Sequence, residues 1–368
     1  MSSAAIFRTL GAPLELRDDI VVAEPQRGEV ALRMAAAGVC HSDLSAIDGT
    51  LLQTPDCIMG HEGAAVVTAT GPDVTRLGVG DRVVVAWVPR CGECFWCTHD
   101  QPNLCDRARS GMGGTMFDGT TRASAAGFPL KQMAGTGTFA THAVMNQHSV
   151  VRYDVDVDPA LAALIGCGVL TGVGAALNTS RSLRDSTVAV LGCGGVGLNV
   201  IQGARLAGAA KIIAIDMSAT KLELARSLGA TDVVLVEGRS PVGAVMALTE
   251  QRGVDAAFEV IGRQDTIDQT IQMTRRGGEA VLVGIPRMDV EVKVSAFMGL
   301  VLAEKSIRGS WYGSSNVDRD VPRLLDWYAK GELKLDTLVS ARVPLDRVND
   351  AIDALRAGET LRTVVTYE

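Results

Sequence analysis

The chain has 368 residues, 47% apolar and 21% charged, a balance that excludes a disordered protein and allows two to three domains. Against 42 Asp and Glu stand 35 Lys and Arg, a net charge of −7 with no basic block, which argues against a nucleic-acid binder or an anionic-membrane binder. The first ten residues carry no leader pattern and no 18 apolar residues run together, so a cytoplasmic protein is expected.

From Val30 to about Val150, short β-type runs such as Ala64–Val67 and Val83–Trp87 are broken by Gly, Pro and Asp. They predict a β-rich, barrel-like region. The texture changes near Ala160. Strand-like runs at Val188–Leu191, Lys211–Ile215, Asp232–Val236, Ala256–Val260 and Ala280–Val283 then alternate with helix-like segments, Ser218–Leu228 and Thr266–Thr274 among them. Such alternation means βαβ units on a parallel sheet, and the fold class is α/β. Two further helices are predicted near the end, over Val321–Lys330 and Val348–Ala357.

Within this half, the buried-strand run Thr187–Leu191 meets Gly192-Cys193-Gly194-Gly195-Val196-Gly197 and then a helix-like run to Ala207. Gly192, Gly194 and Gly197 stand at G-x-G-x-x-G spacing. The first permits a tight turn, the second lets the backbone approach a pyrophosphate, and the third lets helix and strand pack closely. The helix N-terminus offers free N–H groups to phosphates. Lone motifs of this kind are weak, but here a strand precedes, a helix follows, and the next strand ends at Asp216, 24 positions after the first Gly. A carboxylate there accepts the adenosine ribose hydroxyls and repels a 2′-phosphate, which predicts NAD over NADP. The competing reading is a structural Gly turn beside an exposed Asp.

Cys91-x-x-Cys94-x-x-Cys97 with Cys105 places four of the eight cysteines within fifteen positions. Four thiolates close a tetrahedral shell around Zn²⁺ and leave no position open for chemistry, so the lobe is assigned to structural zinc; an iron–sulfur cluster is the alternative. Cys40-His41-Ser42-Asp43, Gly60-His61-Glu62 and Cys167 are dispersed. Singly, each is as compatible with a buried hydrophobe or a hydrogen-bonded core histidine. Together, Cys40, His61 and Cys167 would form a Cys₂His shell with a fourth position left for substrate or water.

With these motifs in view, the chain resembles the zinc-dependent alcohol dehydrogenases of the medium-chain dehydrogenase/reductase superfamily. The likeness runs from Gly28-Glu29-Val30 to Leu361-Arg362-Thr363 and includes Phe258-Glu259-Val260-Ile261-Gly262-Arg263. Gly114-Thr115 and Asp118-Gly119-Thr120-Thr121-Arg122 look like the longer loop of the dimeric branch, which holds the liver-type enzymes and the thiol-dependent formaldehyde dehydrogenases. The resemblance implies a GroES-like catalytic domain over 1–170 with the zinc lobe at about 91–105, a Rossmann domain over 171–310, and a return segment, 311–368, completing the first. It implies two Zn²⁺ per chain, NAD as cofactor and a homodimer. Cys40, His61 and Cys167 would bind catalytic zinc, with Glu62 behind it and Asp43 orienting His61. Ser42 would take the alcohol proton. Gly192, Gly194, Gly195, Val196 and Gly197 would cradle the cofactor phosphates, Asp216 and Lys221 would hold the ribose, and His41 and Arg362 would contact the pyrophosphate. Leu51, Trp87, Leu104 and Met133 fall near substrate-pocket positions and are equally compatible with plain core.

The implied activity is oxidation of primary alcohols to aldehydes, and the reverse, with neither nucleic acid nor membrane as partner. One departure concerns proton exit. Many liver-type members place a relay histidine five residues after the first zinc-ligand cysteine, and here Ser45 stands there. A shallower pH–rate profile is expected, and Ser45→His should steepen it; an unchanged profile would count against the idea. The rivals are an S-hydroxymethyl-thiol dehydrogenase, for which Arg109 could pair a thiol carboxylate, and a nicotinoprotein that retains NAD(H). From another class, a zinc-bearing nucleic-acid module is disfavoured because Arg107 and Arg109 alone make no phosphate footprint.

Overall fold

In the second half of the chain, apolar runs long enough only for strands recur between amphipathic helical stretches, and they assemble into a parallel sheet. The architecture was obtained as a computed structural model, which describes residues 2–367. Two compact units result. One comprises the chain up to Cys167 together with Asn316 onward, the other Gly168–Ser315.

In the first unit, Ser2–Phe7, Glu15–Val22, Ala123–Ala125, Phe128–Gln132 and Cys57–Ile58 close a small barrel. A seven-stranded sheet centres on Glu29–Val39, which pairs antiparallel with Gly63–Thr70, His142–Asn146 and Thr363–Thr366. The register Thr363↔Val39 brings the return segment, and with it Arg362, to the end of the strand that leads into Cys40. Phe7, Leu44, Ile47, Met59, Met133 and Phe139 belong to one buried cluster beneath helix His41–Ile47.

The second unit orders its strands Asp232–Leu235, Lys211–Asp216, Thr187–Leu191, Val254–Glu259, Thr274–Leu282 and Ser306–Gly309, all pairs parallel. In chain order this is 3-2-1-4-5-6, the doubly wound arrangement whose switch point lies beside the first strand. Every residue of Thr187–Leu191 is buried, as expected for a strand covered on both faces.

Helix ends differ from the sequence expectation where capping overrides propensity. The helix expected over Val321–Lys330 spans Val317–Ala329, with Pro322 inside it. The buried Asp320 carboxylate accepts the Asn316 N–H at 3.0 Å and fixes the earlier start, while Pro322 removes one amide donor. Similarly Thr266 Oγ1 accepts the Arg263 N–H at 3.3 Å, so the helix expected from Thr266 begins at Gln264. One helix among the described residues, Pro159–Thr179, is long and apolar enough to cross a membrane, but 89% of its apolar window is buried, as in a core helix. It widens into π turns at Ile165–Val169 and Ala175–Thr179, and the first of these carries Cys167.

Candidate active site

Cys40 follows the central strand Glu29–Val39 and is the N-cap of helix His41–Ile47. Its extended backbone leaves the amide free, and Asp43 Oδ2 accepts it at 2.9 Å. The other oxygen of that carboxylate lies 3.1 Å from His61 Nδ1. Asp43 is wholly buried, so one carboxylate sets both the cysteine turn and the imidazole ring. His61 follows Gly60, whose φ is +87°. A Cβ at Gly60 would come within 2.7 Å of the Phe139 amide, so only glycine fits the turn that presents the histidine. Gly166 allows a comparable approach, lying where a Cβ would strike the Val85 carbonyl, and Cys167 is the next residue.

The ligand atoms of Cys40, His61, Glu62 and Cys167 all lie within 4.8 Å of one another, and all four residues are buried. His61 Nε2 is buried and has no hydrogen-bond partner among the described residues. The neighbouring Cys167 thiol holds Cys40 well below the usual thiol range against its burial, while that same pairing and burial push Cys167 up. Burial opposes charge on His61, but Asp43 and Cys40 together outweigh it and hold the imidazole above its ordinary range. An orphaned ring nitrogen, two thiols and a carboxylate buried together fit a divalent cation, and the soft donors suit Zn²⁺.

Burial raises Glu62 to about 7, with Arg362 opposing. The two form a buried ion pair across 300 residues of sequence. Sequence reasoning placed Arg362 near a pyrophosphate and missed this partner. Gly38 was missed as well, since a Cβ there would strike Glu62 and lie 3.1 Å from Arg362 Nη2. A glycine one residue before the end of an Ala-rich strand was the available signal.

Around this centre, Cys40 Sγ lies 3.8 Å from Ser42 Oγ, and His41 is exposed. The Trp87 ring meets His61 edge to face with centroids 6.3 Å apart. Half-buried Leu51 donates its amide to the Ser45 carbonyl at 2.9 Å. Met133, by contrast, is 7% exposed inside the Phe7–Met59–Phe139 cluster, and Leu104 is 41% exposed on the cysteine lobe.

The lobe thiols Cys91, Cys94, Cys97 and Cys105 also lie within 4.8 Å of one another. The Cys91–Cys97 and Cys94–Cys105 sulfur separations are 4.0 Å, far beyond a disulfide bond. The Cys91 amide donates to Cys105 Sγ and the Cys94 amide to Cys91 Sγ, each at 3.3 Å.

In the second unit, Gly192 has φ +101° and would place a Cβ 2.7 Å from Ile261. Open space surrounds Gly194, and Gly197 lies where a Cβ would strike the Gly192 carbonyl. Helix Gly195–Leu206 starts with Gly195 and Val196 and turns its free amides toward this opening. The Asp216 carboxylate accepts the Cys193 amide at 2.7 Å and the Ser218 amide at 2.9 Å. Lys221 sits in the first turn of helix Ala219–Leu228, its amide bonded to Ser218 Oγ at 3.4 Å. Sequence reasoning gave no role to Glu259. Buried, it accepts the Ile261 and Gly262 amides at 3.0 and 2.8 Å and shapes the turn beside Gly192.

Residues 26–155 match the alcohol dehydrogenase GroES-like domain family, and residues 195–330 match the zinc-binding dehydrogenase family. Over all of both chains, the sequence is 36% identical to an S-(hydroxymethyl)glutathione dehydrogenase of Escherichia coli (strain SMS-3-5 / SECEC). Among solved structures, an alcohol dehydrogenase zinc-binding domain protein from Burkholderia ambifaria superposes with TM-score 0.94 at 32% identity. The benzyl alcohol dehydrogenase of Acinetobacter calcoaceticus does so with TM-score 0.93 at 31% identity. Both comparisons cover 100% of this chain and 99% of the other.

Proposed function

Because the chain belongs to the zinc-dependent alcohol dehydrogenases of the medium-chain dehydrogenase/reductase superfamily, we propose that it oxidises medium-sized primary alcohols to aldehydes with NAD as hydride acceptor. The observation that carries this reading is the orphaned His61 Nε2 facing Cys40 and Cys167 in a buried pocket.

Cys40, His61 and Cys167 hold the catalytic zinc, and Asp43 fixes the His61 tautomer by accepting from Nδ1. When bound, the zinc supplies Lewis acidity that lowers the pKa of the alcohol hydroxyl. Ser42 receives the hydroxyl proton, and Ser45 stands next on its helix. Trp87 and Leu51 keep water from the reacting carbon. The hydride chemistry is that of NAD. The loop Gly192–Gly197 receives its phosphates, Asp216 and Lys221 its ribose, and Arg362, with His41, the pyrophosphate. The second zinc, in the lobe, is structural.

NADH formation with excess NAD⁺ and a panel of aliphatic, benzylic and allylic alcohols is the deciding assay. Turnover should rise with alcohol hydrophobicity. Silence across the panel, with turnover only when formaldehyde and a thiol are supplied together, would replace this reading by thiol-adduct oxidation. The likeness to the E. coli S-(hydroxymethyl)glutathione dehydrogenase and the exposed Arg109 favour that second reading.

A homodimer is also proposed. Strand Ser306–Gly309 ends the parallel sheet, and the preceding turn leaves Phe297, Met298, Val301 and Leu302 more than half exposed. Sedimentation at the mass of one chain would refute it. The eight free thiols favour a reducing compartment, the cytoplasm.

A further inference from the structure

A cavity of about 350 Å³ opens in the first unit and shares no residue with the Cys40–His61–Cys167 set. Its base is a buried ion cluster. Arg122, 3% exposed, donates to the two oxygens of Glu29 at 2.7 Å each and to Asp118 at 2.6 Å. That guanidinium is fully engaged. Arg27 and Arg107 on the walls are not, for among the described residues each forms its ion pair with an exposed carboxylate, Asp73 and Glu93 respectively. Exposed pairs contribute little to stability, so a ligand can recruit either guanidinium at small cost. Beside Arg107 stands the half-buried Phe117 ring, its centroid 6.0 Å from the guanidinium carbon. Cys91 of the cysteine lobe forms part of the same wall.

We propose that this cavity binds a small aromatic carboxylate and that its occupancy shields Cys91. A flat apolar ring matches Phe117, and a carboxylate matches two planar guanidinium donors. The volume sits at the small end of ligand sites, enough for a single-ring acid and far short of a dinucleotide. A cation is disfavoured, because Arg27, Arg107 and Arg122 outnumber the carboxylates Glu29 and Asp118 in the lining. The shielding effect rests on the lobe holding zinc, whereas the binding does not.

Benzoate titrated calorimetrically into the holoenzyme should bind, and an Arg27→Gln/Arg107→Gln variant should bind at least about tenfold more weakly, the expected loss for one or two charge-assisted hydrogen bonds. Both arginines are exposed, so the variant should fold and keep its alcohol turnover. Zinc release to a chromogenic chelator should slow about threefold with benzoate, but not with benzamide or acetate, and only in the unmodified protein. Equal benzoate affinity in the two proteins would overturn the proposal, because benzoate would then sit elsewhere. Equal protection by acetate would reduce the site to a bare anion contact and overturn the aromatic class. If the protein holds one zinc per chain, the lobe reading fails, and the calorimetric comparison still decides the cavity.

Discussion

Replacing His61 with alanine is expected to lower kcat/KM for alcohols by about 10³-fold or more and to reduce bound zinc from two ions per chain to one. The physical basis is the way this residue is held. Asp43 fixes Nδ1 at 3.1 Å, so Nε2 has one direction left, toward the buried sulfurs of Cys40 and Cys167. Removing the imidazole leaves two thiols and Glu62 in a dry pocket with too few ligands to retain the ion. Losing several kcal/mol of Lewis-acid stabilisation at 1.36 kcal/mol per factor of ten gives the stated magnitude. Metal analysis and steady-state kinetics check it on one preparation. A merely structural histidine would lower Tm while both zinc ions and most of the turnover remained, and that result would sink the assignment.

Asp216→Ala should weaken the use of NAD by about 10- to 100-fold in kcat/KM and raise the use of NADP. Both carboxylate oxygens already accept backbone amides, from Cys193 in the glycine loop and from Ser218 at the next helix start. The side chain therefore joins the glycine loop to the end of its strand and keeps lone pairs that the ribose hydroxyls of the proposed NAD would fill. Loss of charged hydrogen bonds at about 1.5–3 kcal/mol accounts for the fall with NAD. Relief of like-charge repulsion toward a 2′-phosphate accounts for the gain with NADP. Kinetics with both cofactors decide the matter, and an unchanged NADP/NAD ratio would contradict the role given to Asp216.

The parallel-sheet half was legible because its signals are short-range. Alternating strand and helix runs, the glycine loop and the acidic strand end all lie within one βαβ span, where periodicity and turn chemistry act over a few residues. The helix starts at Val317 and Gln264 were less legible, since Asp320 and Thr266 set them through side-chain caps that propensity does not weigh. Met133 shows what spacing leaves open: an apolar residue compatible with either pocket or core along the chain lies in the Phe7–Met59–Phe139 cluster once the strands pair.

The sequence by itself determined the α/β class, the glycine loop with its following Asp216, and the clustering of four thiols, because each is local along the chain. Only the tertiary structure decided that Cys40, His61, Glu62 and Cys167 converge, that Asp43 serves two of them at once, and that Arg362 neutralises Glu62. Apart from the local Asp43–Cys40 bond, the bonds among them join residues 18 and 300 positions apart. They exist because the Thr363↔Val39 strand register, the π turn at Cys167 and three close-packed glycines, Gly38, Gly60 and Gly166, bring distant backbone together. Spacing along a chain carries no record of such packing.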